Sequence, residues 1–130
     1  MQAARINRAR VGGLLRRAEF LAVAGTRRKH VAAGLILQVR RHDERQRPVK
    51  GSVAVRFGLT ASKKVGNAVK RNRARRRLRA AATDLLSRHC AAGFDVVLVA
   101  RAETVVRPWA DLVADLTAAM KKLGLWRDAP

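Results

Sequence analysis

Residues 52–89 read SVAVRFGLTASKKVGNAVKRNRARRRLRAAATDLLSRH, and a change of period inside this stretch decides the fold. From Ser52 to Ser62 the side chains alternate. Val53, Val55, Phe57, Leu59 and Ala61 point one way, while Ala54, Arg56, Gly58, Thr60 and Ser62 point the other, as in a strand with one packed face. After Lys63–Gly66 the period lengthens. Asn67 can cap a helix running to about His89, with Ala74, Leu78, Ala81, Ala82 and Leu85 as its apolar stripe.

Working outward, Gly34–Arg40 reads as a second alternating strand with Leu35, Leu37 and Val39 on one face. Between the two strands, His42–Gly51 is polar, contains Pro48 and reads as a loop. Upstream, Ala18–Ala24 is a short helix stopped by Gly25, formed by packing more than by propensity. Downstream, Gly93 suits a turn, and the apolar run inside Asp95–Ala100 reads as a strand buried on both faces. A last helix starts near Pro108 and carries Trp109, Leu112, Val113, Leu116, Met120 and Leu123 at helical spacing. The predicted order is helix, strand, strand, helix, strand, helix, in one α/β domain over residues 14–123. A flexible basic arm (residues 1–13) and a tail (124–130) flank it.

The chain has 130 residues, 48% of them apolar, enough for one core without staples. The single cysteine, Cys90, excludes an internal disulfide and fits a reducing, cytoplasmic setting. No run of residues is long and apolar enough to be a membrane span, and with aromatics at 4% no helix has the bulky apolar face of a membrane-surface binder. The formal net charge is +20, all of it in residues 1–90; residues 91–130 balance. Such an excess argues against a generic metabolic enzyme and for a polyanionic partner.

The charge is densest at Lys70-Arg71-Asn72-Arg73-Ala74-Arg75-Arg76-Arg77-Leu78-Arg79, where seven of ten residues are cationic and six of those are arginine. Three or four cations on one side would be a solvated face. Seven wrap the helix, and the apolar stripe extended backwards lands on Arg71, so the first turns are expected to lie open and to need a highly charged partner. The arginine fork suits phosphate oxygens and base stacking. Just upstream, Ser62–Val69 joins strand to helix with small residues, so backbone N–H groups can approach a phosphate beside Lys63 and Lys64. The spacing of a Walker loop is absent.

The run Thr60-Ala61-Ser62-Lys63-Lys64-Val65-Gly66-Asn67-Ala68-Val69-Lys70-Arg71-Asn72-Arg73, with Arg76 and Arg79 following, resembles the signature of the bacterial ribonuclease P protein subunit. Leu15–Phe20 and Phe94–Arg101 are similar to that family's first helix and last strand, so the resemblance spans about residues 14–123. It implies a fold like the second domain of a small-subunit ribosomal protein, a mixed sheet with a left-handed crossover through the basic helix. It also implies a ribonucleoprotein role in tRNA processing. The chain would bind a catalytic ribonuclease P RNA and the 5′ leader of precursor tRNA, and assist endonucleolytic hydrolysis that yields the mature 5′ end. By that resemblance Lys63, Lys64, Asn67, Lys70, Arg71, Asn72, Arg73, Arg76 and Arg79 bind RNA, and Phe20, Arg56 and Thr60 line a leader cleft. Phe20 offers a stacking platform there; where family members often carry a second aromatic, this chain has Ala24. Mg²⁺ is expected at the assembled active site, held mainly by the RNA, with no membrane or small-molecule substrate and a monomeric isolated protein.

The residues themselves show no hydrolytic apparatus. His30, His42 and His89 are scattered, without metal-ligand spacing to one another or to Cys90. Glu19, Asp43, Glu44 and Asp84 do not cluster in sequence, and Asp111 and Asp115, four apart on the last helix, read as a solvated face. No catalytic residue and no metal ligand is therefore assigned to this chain. A non-catalytic RNA-binding structural protein of ribosomal type is the alternative. A DNA-binding regulator would want a dimer and a recognition helix reading base edges.

Overall fold

The computed structural model describes residues 11–42 and 54–128. The elements are β1 (Val11–Gly13), α1 (Arg17–Gly25), β2 (Lys29–Val31), β3 (Leu35–Arg41), β4 (Val55–Thr60), a 3-10 turn (Lys63–Val65), α2 (Ala68–His89), β5 (Phe94–Ala100), a second 3-10 turn (Ala102–Val105) and α3 (Trp109–Lys122). One five-stranded mixed sheet has the order β1-β4-β5-β3-β2, with β1 and β5 each parallel to β4 and the β3 pairings antiparallel. The parallel β4 and β5 are neighbours, so α2 is the crossover between them, as the family resemblance implies.

The pleat assigns the two faces. Val55, Phe57 and Leu59 of β4, Val96 and Leu98 of β5, and Leu35, Leu37 and Val39 of β3 join Ala74, Leu78, Ala81, Ala82 and Leu85 of α2 and Leu112, Leu116 and Met120 of α3 in the main core. Leu78 and Leu86 have no exposed surface, and burial of each contributes roughly 2 kcal/mol. On the opposite face the nine-residue α1 covers a smaller cluster, Leu14, Val23 and Val97 with Phe20 and Val99 against it. That face is only partly covered, and it forms the floor of a cleft.

Four expectations change. Val11–Gly13 pair with Val55–Phe57, so the folded part begins inside the stretch read as a basic arm; three residues with two glycines carry no alternation to read. Lys29–Val31 is a further edge strand, too short to show a period. Leu125 is fully buried and Trp126 bridges to Cys90 and stacks on His89, so the supposed tail closes the core. Trp109, expected in the stripe of the last helix, is instead 46% exposed. Val53 and most of the polar loop, including Asp43, Glu44 and Pro48, lie outside the described residues, as do residues 1–10.

Candidate nucleic-acid interface

One glycine and two caps shape the entry to α2. Ser62 Oγ accepts from the Lys64 backbone N–H (3.3 Å), which holds the 3-10 turn and leaves Lys63 and Lys64 exposed. Gly66 follows with φ 142°, a conformation that disfavours any side chain, and lets the chain swing into the helix. Asn67 Oδ1 then accepts from the Lys70 N–H at 3.0 Å, the expected N-cap. The first turn of α2 contains no acid. A helix start carries partial positive charge, and here it is surrounded by cations, so the arrangement is electrostatically unfavourable until an anion arrives.

The arginine row divides into two groups. Arg71 Nε donates to the Ala61 carbonyl at 2.8 Å and Arg73 Nε to the Val105 carbonyl at 3.1 Å. Arg77 donates to the Thr104 and Arg107 carbonyls, and Arg75 bonds Asn72 Oδ1 at 3.3 Å. These contacts correct the expectation that the first turns lie wholly open: the helix flanks are fastened to loops on both sides by arginine forks bound to backbone oxygens. Burial, and then repulsion from Arg73, pull the Arg77 pKa below its usual value. Lys70, Arg76 and Arg79 form the second group. They are exposed, and their side chains make no hydrogen bond or ion pair among the described residues. Arg76 and Arg79 share one outward stripe with Asn72.

On the other face of the sheet, Phe20 lies over Gly58. A Cβ at Gly58 would overlap ring atoms Cε1 and Cζ of Phe20, so the glycine is the seat of the ring. Phe20 lines a shallow cavity of about 470 Å³ with Arg17, Leu21, Leu59, Thr60, Ser62 and Arg75. Phe20 and Thr60 are thus brought together as expected. Arg56 shares their face but has a different engagement. Its Nε and Nη2 donate to Asp95 Oδ1 (2.9 Å) and Oδ2 (2.7 Å), and its Nη1 pairs with Glu19 of α1. His42 Nε2 adds a 2.7 Å contact to the same Asp95, whose side chain is 1% exposed. Burial alone would push the Asp95 carboxyl up, but hydrogen bonds from Arg56 and His42 outweigh it and hold the carboxyl below its usual range. Glu19 also accepts from the Arg16 N–H at 3.0 Å, so one carboxylate caps α1 and ties it to the sheet.

This buried network was not legible in sequence. Asp95 and Arg56 are 39 residues apart, and only the parallel register of β4 with β5 places them side by side. Asp115 is a second correction. It is not a solvated face, because its carboxylate accepts from Arg107 Nε (2.8 Å) and the Gly34 N–H (2.9 Å) and locks α3 to the turn before β3. Arg17 and Arg75 beside the cleft were also missed; their only signal was proximity in sequence to Phe20 and to the basic run.

Comparison with known proteins matches residues 9–124 to the Ribonuclease P family model. The chain is 48% identical over 120 residues to the ribonuclease P protein component of Paramagnetospirillum magneticum, covering 89% of this chain and 85% of that one. It is 44% identical to the component from Gluconacetobacter diazotrophicus, covering 86% and 90%. Among solved structures, the fold is similar to the RNase P protein of Staphylococcus aureus, with a TM-score of 0.66 at 20% identity over 88% of this chain and 97% of that one. It is also similar to the protein from Thermotoga maritima, with a TM-score of 0.63 at 21% identity over 80% and 91%.

Proposed function

Because this chain belongs to the ribonuclease P protein family, we propose that it acts as the protein subunit of the tRNA-processing endoribonuclease by gripping a catalytic RNA with α2 while its cleft takes the 5′ leader of precursor tRNA. The observation that carries the reading is the group of unpartnered cations, Lys70, Arg76 and Arg79 with exposed Lys63 and Lys64, gathered around a helix start that has no acid. Phosphates of a folded RNA neutralise that group and release counterions. Asn67, Arg71, Asn72 and Arg73 are the second tier of the RNA surface. Part of each side chain is already bound within the protein, while Asn67, Asn72 and Arg73 stay exposed and Arg71 half-buried.

In the cleft, Phe20 and Thr60 receive leader nucleotides, with the ring as a sequence-tolerant stacking surface. Arg56 supports this site from below, since two carboxylates already answer its charge. Only a contact made by precursor and not by mature tRNA can sort substrate from product, and a leader contact of about 1.4 kcal/mol gives a tenfold preference.

We place bond cleavage and its Mg²⁺ on the RNA. Among the described residues no group of three or more His, Cys, Asp or Glu could hold a metal, and we assign this chain binding and charge neutralisation. No described helix is long and apolar enough to cross a membrane. The cytoplasm, where precursor tRNA is made, is the proposed site of action, and a monomer the proposed state of the isolated chain.

The test is reconstitution with the matching catalytic RNA at low Mg²⁺. The protein should restore cleavage of precursor tRNA that the RNA alone performs poorly. No stimulation, together with tight binding to ribosomal RNA, would replace this reading with a structural ribosomal role.

A further inference from the structure

Away from the leader cleft, a groove runs between the edge strand β1 and the outward face of α2. Its floor is apolar, built from Val11, Phe57 and Ala80, and Arg76 and Arg79 stand along it. Its volume, about 610 Å³, lies within the range of roughly 300–1,000 Å³ typical of sites that enclose a small organic ligand. Contact with phosphate alone would occupy the two guanidinium groups and leave the floor wet. A nucleotide satisfies both halves: its phosphate meets the arginine forks and its base covers the apolar surface.

The local charges support an anion with an apolar part. Asp84 lies at the end of the groove, but Arg88 answers it at 2.8 Å, so the cationic balance of Arg76 and Arg79 stands. The segment just before Val11 carries Arg5, Arg8 and Arg10 and no acid, which makes it a poor electrostatic match for the same groove.

We propose that this groove receives one unstacked nucleotide of the catalytic RNA, its phosphate between Arg76 and Arg79 and its base on Val11, Phe57 and Ala80. The proposal rests on the RNA-binding reading above and adds to it a pocket for a base.

Ala80→Leu provides the test. Ala80 is exposed on α2 and leucine is a good helix former, so the substitution fills the groove while leaving the fold and both arginines in place. Affinity for the catalytic RNA would be measured across a salt series beside wild type, Ala114→Leu, which adds the same side chain at an exposed position of α3 outside the groove, and Arg76→Ala, with melting temperatures taken for each. Ala80→Leu should bind about tenfold more weakly with an unchanged salt slope, from the loss of a stacked base. Ala114→Leu should bind like wild type, and Arg76→Ala should lose about one unit of slope. Base-specific chemical probing should reveal an RNA nucleotide protected by wild type and exposed by Ala80→Leu. Wild-type affinity and unaltered protection in Ala80→Leu would overturn the groove proposal alone. Failure of the wild-type chain to bind the catalytic RNA would overturn the underlying reading as well.

Discussion

Replacing Asp95 with Asn keeps the shape of the side chain and removes its charge from the one place where α1, β4, β5 and the end of β3 are joined by polar contacts. Removing one partner of a buried ion pair typically costs about 3–5 kcal/mol. Here the guanidinium of Arg56 keeps Glu19 and is 31% exposed, so part of its charge is solvated after the change and the expected loss falls to about 2–3 kcal/mol. For a chain of this size that corresponds to a fall in Tm of about 6–12 °C near neutral pH. The pH dependence is the sharper signature. The folded-state pKa of Asp95 is lowered, so its contribution is fully present above the unfolded value near 4 and is lost as pH falls through the lower, folded value. Thermal melts of both proteins from pH 7 downwards should show a gap that is present at neutral pH and closes in acid, as Asp95 loses its charge. A gap below about 2 °C at neutral pH, or one that persists unchanged in acid, would refute the assignment of Asp95 as the charged centre of the network.

Gly58→Ala should displace Phe20 from its seat at a stability cost of about 1–3 kcal/mol, and should lower affinity for precursor tRNA while leaving mature tRNA unaffected. Phe20→Ala should give the same selective loss; equal losses for both tRNAs would exclude Phe20 from the leader site. Arg79→Ala should weaken binding to the catalytic RNA and reduce the log–log salt slope by about one unit, and an unchanged slope would remove Arg79 from the phosphate interface. Asn67→Ala should cost about 1 kcal/mol in urea unfolding through loss of the cap, and a stability equal to wild type would show that the Lys70 N–H finds another acceptor.

The sequence by itself determined the elements whose signal is local. Alternation through Val55, Phe57 and Leu59, the Asn67 cap and the Ala74–Leu78–Ala81–Ala82–Leu85 stripe all appear in the structure, because period and capping are set by residues within one or two turns of each other. The family signature likewise lies in one continuous run. What only the tertiary structure decided is how the charges divide. Charge density alone does not separate the arginines between positions 71 and 79; packing against the end of β4 and the second 3-10 turn ties Arg71, Arg73 and Arg77 to backbone oxygens and leaves Arg76 and Arg79 outward. Only the register of β4 and β5 sets Arg56 beside Asp95; β1 is a strand because β4, far along the chain, offers it hydrogen bonds, and β2 because the turn through residues 32–34 folds β3 back onto it. A side chain's partner depends on which distant segment the core brings within about 3 Å of it, and that distance is fixed by the fold as a whole.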